Sequence, residues 1–152
     1  MIRSVPIVGL ILLALSITPV SAQQQVQIAA DLFTVEESTS EAIFSGNVEV
    51  KHPSVTVSAD KVVATYGAGG TSDIKTFVAT GNVRLVTKEQ TATGERAVFT
   101  PGDQLLRLTG NVRVATGGST VNAQELVVNL ATNVSTFSSG TGGRVTGVFS
   151  AQ

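Results

Sequence analysis

The stretch Phe44-Ser45-Gly46-Asn47-Val48-Glu49-Val50 decides the fold class, because its Gly-Asn-Val centre occurs twice more in the chain. The second copy lies in Ala79–Leu85 and the third in Leu108–Val114, so that the three glycines are spaced 35 and 29 residues apart. A period in this range is typical of one supersecondary unit that is used repeatedly. The sequence therefore predicts a stack of similar units with long surfaces and free ends.

Apolar and polar residues alternate through each copy. In the first copy Phe44, Val48 and Val50 share one face, while Ser45 and Glu49 lie on the other. A period of two residues with one polar face indicates strands of a sheet that water covers on one side only. The chain is also rich in Val and Thr, which suit strands, and no sustained helical period follows Gln23. We predict an all-β domain.

A second run of similar residues accompanies each copy and predicts a hairpin partner for it. The complete runs are Val55–Val63, Thr91–Val98 and Thr120–Val127. Partial or degenerate copies stand at the two ends, in Val26–Phe33, Val134–Gly140 and Arg144–Phe149. Atypical end units are what a repeat array needs as caps or docking faces. Glycine-rich segments between the runs, such as Gly67–Gly70 and Pro101–Asp103, predict the tight turns.

Two features of the repeat need a local explanation. Glycine in the middle of a strand costs about 0.5–1 kcal/mol relative to Ala, so its recurrence in Gly-Asn-Val predicts a bulge, a bend or a close backbone approach. An acidic residue recurs in the partner runs, at Asp31, Asp60, Glu95 and Glu125. These carboxylates either cap the N–H groups of turns, which we favour, or supply oxygens to a calcium ion.

The N-terminus has the pattern of an export signal. Arg3 precedes an apolar run from Val5 to Ile17, and Val20-Ser21-Ala22 places small or short residues at the cleavage point. The run is short for a membrane anchor, which must cross about 30 Å of hydrocarbon. We therefore predict a cleavable signal peptide at 1–22 and one domain at 23–152. The chain has no cysteine, which excludes both a disulfide and a lipid-modified cysteine at that point.

Charge and reactive groups exclude several functions. The net charge is −1, so there is no basic footprint for nucleic acid and no polybasic patch for anionic lipid. The only histidine is His52, which stands before Pro53 and is predicted to be a solvated turn residue. One histidine and no cysteine leave neither a Cys–His pair nor a His-rich metal site. We predict no enzymatic activity, no catalytic residue, no metal site and no cofactor.

The repeated unit resembles that of a known family. The pattern Ala-x-Phe-x-Gly-Asn-Val, followed by Val-x-Val-x-Ala-Asp-Lys-Val, is similar to that of the periplasmic lipopolysaccharide-transport proteins of the LptA/OstA type. Ala42–Val48 and Val55–Val63 carry the match, Leu108–Val112 repeats it, and the similarity extends over about Val26 to Phe137. The resemblance implies a twisted, half-open β-jelly roll, a V of two facing sheets built from repeated hairpins, with an apolar slot for the acyl chains of lipid A.

The inward apolar side chains of the predicted strands are the candidates for this slot. They are Ile28, Leu32, Phe44, Val48, Val50, Val57, Phe77, Val83, Leu85, Val98, Leu106, Leu108, Val112, Val114, Val121 and Leu126. Basic residues near the strands, such as Lys51, Lys61, Arg84, Arg96, Arg107 and Arg113, are either contacts for lipid phosphates or, as we favour, plain charges of the outer face.

The resemblance implies a periplasmic carrier that bridges the inner and outer membranes. Its partners are expected to be lipopolysaccharide, further copies of itself arranged head to tail, and the inner-membrane tethered and outer-membrane translocon members of the transport system. The expected assembly edges are the first and last strands, with Val26, Ile28, Arg144, Val145, Val148 and Phe149. The alternative interpretation is a structural β-repeat protein without a lipid ligand, such as a solenoid segment of an adhesin.

Overall fold

The computed structural model describes residues 26–140 and 143–150 and contains β-structure almost throughout. The predicted signal peptide at 1–22 lies outside the described residues. In these two ranges ten strands follow one another, with a single 3₁₀ turn at Gly70–Ser72 between the fourth and the fifth. The strands are β1 (Gln27–Ala29), β2 (Leu32–Glu36), β3 (Glu41–His52), β4 (Val55–Tyr66), β5 (Ile74–Val86), β6 (Thr91–Thr100), β7 (Leu105–Thr116), β8 (Ser119–Asn129), β9 (Val134–Ser138) and β10 (Thr146–Phe149).

All ten strands belong to one antiparallel sheet. The order is β1-β3-β4-β5-β6-β7-β8-β10, with β2 also paired to β3 and β9 also paired to β8. Consecutive hairpins therefore build the sheet, as the repeat predicts. A β-solenoid coils its strands in parallel, so the antiparallel order contradicts the solenoid alternative. The pairs β1/β2 and β9/β10 form the two edges of the sheet, where the end copies of the repeat were expected.

The Gly-Asn pairs form bulges in the middle of β3, β5 and β7. In β3 the register with β4 shifts between Ser45 and Val48, so that two residues oppose one. Both bulge residues are left-handed, with φ of 79° at Gly46 and 48° at Asn47, and the other two copies repeat these angles. Glycine and asparagine are the residues that tolerate this conformation, which explains the repeated dipeptide.

An acidic residue lies against each bulge, from the preceding strand in the second and third copies and from the link between β1 and β2 in the first. The carboxylate of Asp60 accepts a hydrogen bond of 3.0 Å from the side-chain amide of Asn82, and a Cβ added to Gly81 would lie 2.5 Å from the same carboxylate. Asp31 with Asn47 and Glu95 with Asn111 repeat the hydrogen bond at 3.0 Å. We call each such trio of acid, glycine and asparagine a clasp. Of the bulge, bend or close backbone approach that the sequence offered for these glycines, the structure shows the bulge, and the group that approaches the glycine is a carboxylate and not backbone.

The clasp corrects the predicted position of the fourth acid. In β4 the buried residues Ala59 and Val62 enclose Asp60. In β8 the buried residues Ala123 and Leu126 have the same spacing, so the residue equivalent to Asp60 is Gln124 and not Glu125. Gln124 is the residue nearest to Gly140, and Glu125 pairs instead with Arg107 at 3.0 Å. Within residues 26–140 and 143–150 no group of three or more acidic, His or Cys residues could hold a metal ion, and each clasp carboxylate binds its own asparagine.

The sheet bends along the line of clasps into two layers. Layer A consists of residues 32–36, 41–45, 61–66, 74–80, 96–100, 105–109, 125–129 and 134–138, and layer B of residues 27–29, 48–52, 55–59, 83–86, 91–94, 112–116, 119–123 and 146–149. The rings of His52 in layer B and Phe99 in layer A lie 6.0 Å apart, although three strand pairings separate β3 from β6. The layers thus face each other, and the predicted two sheets are two halves of one.

The core lies where the layers meet. Its largest fully buried side chains are Leu108, Leu126, Val48, Val62, Val83 and Val112, most of them within a few residues of a clasp. Small residues let the layers approach, because a Cβ at Gly94 would lie 2.6 Å from the side chain of Leu108. Each fully buried Val or Leu contributes about 1.5–3 kcal/mol of burial free energy. The closed side of the V is therefore the rigid part of the molecule.

Candidate functional site

An apolar slot lies between the inner faces of the two layers. Its centre is a cavity of about 40 Å³ lined by residues of both layers, including Val50 and Val57 of layer B and Phe77, Phe99 and Leu106 of layer A. A smaller cavity of about 20 Å³ continues it toward β8 and shares Val55, Leu106 and Leu130 with it. In this state the centre of the slot is thus narrow, and a fatty chain needs more room.

The slot is widest at the edge formed by β1 and β2. An open space of about 610 Å³ there is lined almost entirely by apolar residues, among them Ile28, Phe33, Phe44 and Ile74, and it shares Phe77 with the central cavity. Phe33 and Phe44 stack with ring centroids 4.6 Å apart. The slot therefore tapers along the sheet, from an open end at β1/β2 to a nearly filled end at β7/β8.

The predicted slot residues that face inward divide into two groups. Eight of them line the open space or the cavities, namely Ile28, Phe44, Val50, Val57, Phe77, Leu85, Leu106 and Leu126. Val48, Val83, Leu108, Val112 and Val114 are at most 3% exposed and pack beside the clasps, and Val121 is half-buried opposite β10. The second group also faces inward but forms the closed side of the V.

Two predicted slot residues lie on the outer face instead. Leu32 pairs with Ser45 and is 61% exposed, while its neighbour Phe33 pairs with Phe44 and faces inward. Val98 pairs with Val78 and Arg107, which are outer-face residues. The clasp explains why these two residues face outward. The acid and the residue after it both point outward, so the inward and outward positions are exchanged along the rest of the strand. Asp31 and Leu32 are such a pair, and so are Glu95 and Arg96.

His52 is not the solvated turn residue that the sequence suggested. It is the last residue of β3, it is half-buried, and its ring lines the central cavity beside Phe99. Partial burial lowers the pKa of His52 below the usual value. The signal was available in the sequence, since positions 48, 50 and 52 share the inward face. Val55, Val62, Ala79, Ala97 and Phe99 are further lining residues that the sequence analysis missed.

The open side of the V is polar. A space of about 420 Å³ separates the layer B turns at Pro53-Ser54 and Thr87–Gln90 from the layer A segment at Asn133–Ser135. Lys88 is the basic residue of this mouth among those that the structure describes. The six basic residues considered from the sequence, Lys51, Lys61, Arg84, Arg96, Arg107 and Arg113, are all exposed, as expected for charges of the outer face.

The comparison with protein families decides the assignment. The family described as LptA/(LptD N-terminal domain) LPS transport protein matches residues 27–134, from the first strand to the start of β9. The chain belongs to this family. The LptA-type resemblance is confirmed, and so is the prediction that the chain is not an enzyme, because these are lipopolysaccharide-transport proteins without enzymatic activity.

Similar proteins agree with the family assignment. An uncharacterized protein of Rhizobium meliloti (strain 1021) is 33% identical over 107 residues, which are 66% of this chain and 58% of that protein. The match thus spans less than two thirds of that relative. The crystal structure of LptH, the LptA homologous periplasmic component of the lipopolysaccharide transport device of Pseudomonas aeruginosa, has a TM-score of 0.71 at 15% identity over 84% of this chain and 96% of that one. This likeness shows the LptA-like fold.

The expected edges of this LptA-type fold stand at the ends of the sheet. Ile28 lies in β1, and Val148 and Phe149 lie in β10, but β10 begins only at Thr146. Arg144 and Val145 therefore precede the last strand, and Arg144 lies instead near Asn111, Asn122 and Gln124. Val26 precedes β1 and lines the slot. No helix in the described ranges is long and apolar enough to cross a membrane.

Proposed function

We propose that the protein is a periplasmic lipopolysaccharide carrier, which holds the acyl chains of lipid A in the slot and links inner- and outer-membrane transport complexes by end-to-end strand pairing. The observation that carries the proposal is the tapered apolar slot between two layers in a chain of the LptA family. The sugars would remain in water at the open side of the V.

The inner faces supply the binding energy for acyl chains. Each CH₂ group that leaves water contributes about 0.8 kcal/mol, so that several chains bind tightly without a charged contact. The open space at β1/β2 has room for the ends of the chains in the present conformation, and filling the centre of the slot requires that the layers move apart. Because the layers are joined along the clasps and free at their turns, they can separate at the turns without breaking the sheet.

The ends of the sheet support the assembly part of the proposal. Among the described residues, seven of the eight large apolar side chains that are exposed belong to the two ends of the sheet. These are Leu32, Phe33 and Val35 in β2, Val134 in β9, and Val145, Val148 and Phe149 in or before β10. Exposed strand edges with apolar side chains are docking sites for strand addition.

The order of strand types also favours a head-to-tail contact. Two types of strand alternate along the sheet. Strands that supply the acid of a clasp at the bend, here called the acidic corner (β1/β2, β4, β6), lie beside strands that carry a Gly-Asn bulge (β3, β5, β7). The sheet ends with β9/β10, whose Gly140 stands against Gln124 in the place of a bulge glycine. A strand with an acidic corner would come next in this alternation. The β1/β2 edge of a second copy supplies such a strand, and so does the similar edge of a membrane-bound partner.

Photo-crosslinking from matched positions tests the lipid part. A photoreactive residue at Phe44 faces the slot, and one at the neighbouring Ile43 faces outward in the same strand. We expect adducts with lipopolysaccharide in cells from position 44 and from Phe77, and none from Ile43 or Val78. Equal adducts from inner and outer positions, or no adduct from the inner ones, would contradict the slot as the binding site.

A further inference from the structure

Among the residues that the structure describes, one polar side chain lies at the centre of the slot, and it is that of His52. The cavity of about 40 Å³ is lined by twelve residues, of which the other eleven are apolar. The ring lies in an edge-to-face arrangement with Phe99, at 6.0 Å between centroids, so packing fixes its position. A polar group in an apolar binding site orients a ligand rather than adding bulk affinity.

The hydrogen bond at Nδ1 determines what His52 offers to the slot. The backbone N–H of Ser54 donates to Nδ1 at 3.1 Å. In a neutral imidazole one nitrogen accepts and the other carries the proton, so the proton is on Nε2. Partial burial lowers the pKa of His52 and favours this neutral form. Nε2–H has no hydrogen-bond partner among the described residues and is not fully buried. It is thus a free donor.

His52 also stands at the boundary between the apolar slot and its polar mouth. The two residues after it, Pro53 and Ser54, line the mouth of about 420 Å³ together with Lys88. An amphiphile whose chains lie in the slot and whose head group lies in the mouth therefore passes His52 where chain and head are joined. The linkage in an acylated glycolipid is an ester or amide, which presents a carbonyl oxygen, and hydroxyl groups accept in the same way.

We propose that His52 is a specificity-determining residue of the slot, whose Nε2–H donates a hydrogen bond to a carbonyl or hydroxyl oxygen at the head end of an acyl chain. The inference rests on the proposed lipid-carrier function and adds the direction of the ligand. The chains enter from the side of the β3–β4 and β5–β6 turns, and the oxygen at the chain head sets how deep they go.

Two variants and two probes test the role of His52. His52→Phe keeps an aromatic ring in the cavity without the donor, and His52→Gln keeps an N–H donor. Purified protein is titrated with deep-rough lipopolysaccharide, which has carbonyl and hydroxyl oxygens, and with N-phenyl-1-naphthylamine, which has neither. We expect His52→Phe to weaken lipopolysaccharide binding by about threefold to tenfold, the range of one hydrogen bond, and to leave binding of the naphthylamine within about twofold. His52→Gln should recover most of the loss.

The imidazole nitrogen signals provide a second measurement. With ¹⁵N-labelled protein, the proton should be found on Nε2 before binding, and the Nε2 signal should shift when lipopolysaccharide is added. His52→Phe that binds lipopolysaccharide as tightly as the unaltered protein would overturn the proposal while leaving the carrier function intact. Unaltered protein that binds the naphthylamine but no lipopolysaccharide would overturn the carrier function and this inference with it.

Discussion

Each clasp depends on the absence of a side chain at a single position. Gly81 has φ of 81°, and the carboxylate of Asp60 occupies the space where a Cβ would be. Asn82 follows in the left-handed region, and its amide donates to the same carboxylate at 3.0 Å. One dipeptide therefore supplies both the backbone angles of the bulge and the hydrogen bond that holds the neighbouring strand at the corner.

Gly81→Ala should destabilise the protein by about 2 kcal/mol. A left-handed residue with a Cβ costs roughly 1–2 kcal/mol, and Asp60 must also move away from Asn82. Urea unfolding followed by circular dichroism measures the change. The matched control is Gly102→Ala in the β6–β7 turn, where φ is not positive and the added methyl meets nothing within 4 Å. Equal stability of the two variants would show that the clasp is dispensable.

The titration of His52 gives the protein a dependence on acidity. Because burial lowers its pKa in the folded state, the unfolded chain binds the proton more readily, with a pKa of about 6.5. The contribution of the neutral ring to stability is complete above that value and is lost as the pH falls through the lower, folded pKa. The unfolding midpoint should therefore fall more between pH 7.5 and pH 5 in the unaltered protein than in His52→Phe. An equal fall in both proteins would refute the lowered pKa of His52.

At the scale of the strands, the alternation of side chains was readable from the sequence but its phase changes were not. In β3, β5 and β7 the two bulge residues keep the alternation in step, so that Phe44 and Val48 both face inward as predicted. In β2, β4, β6 and β8 the corner puts two successive residues outside, and the inference failed for Leu32, Val98 and Glu125. The run Ala59-Asp60-Lys61-Val62 contains the signal, since two polar residues there separate two apolar ones.

The slot was predictable only in part for a similar reason. The period of two indicates which side chains share a face, and the structure places most of the residues named from the sequence on the inner face. The period does not indicate which inward residues pack at the closed side of the V and which line open space, because that depends on the angle between layers. Val48 and Phe44 look alike in the sequence, yet one is 2% exposed in the core and the other lines the opening at β1/β2.

The last strand allows the proposed assembly to be tested without altering the fold. The N–H of Ser150 donates to the carbonyl of Gly118 at 3.2 Å, so by the alternation of an antiparallel ladder the N–H of Phe149 points to the free edge. Phe149→Pro removes both the ring and this donor, whereas Phe149→Ala removes the ring alone. In light scattering against concentration, we expect larger species for Phe149→Ala and monomers for Phe149→Pro. Identical behaviour of the two would exclude strand addition at β10.

At the scale of the molecule, the protein is a V with a rigid closed side and a free open side. The clasps and the fully buried side chains hold the layers together along one line, while the turns on the opposite side face each other across a polar mouth. The central cavity of about 40 Å³ is small for an acyl chain. If the chains of lipid A lie between the layers, the turns of the two layers must separate when lipopolysaccharide binds.

Distances between spin labels across the mouth test this central claim most directly. The chain has no cysteine, so Ser54→Cys in layer B and Thr132→Cys near the layer A side of the mouth give a single labelled pair at exposed positions. Ser54→Cys with Lys88→Cys, both in turns of layer B, is the control pair. We predict that saturating lipopolysaccharide lengthens the first distance by several ångströms and leaves the second unchanged. A first distance that stays the same while lipopolysaccharide is bound would contradict the account, because the chains would then lie elsewhere than between the layers.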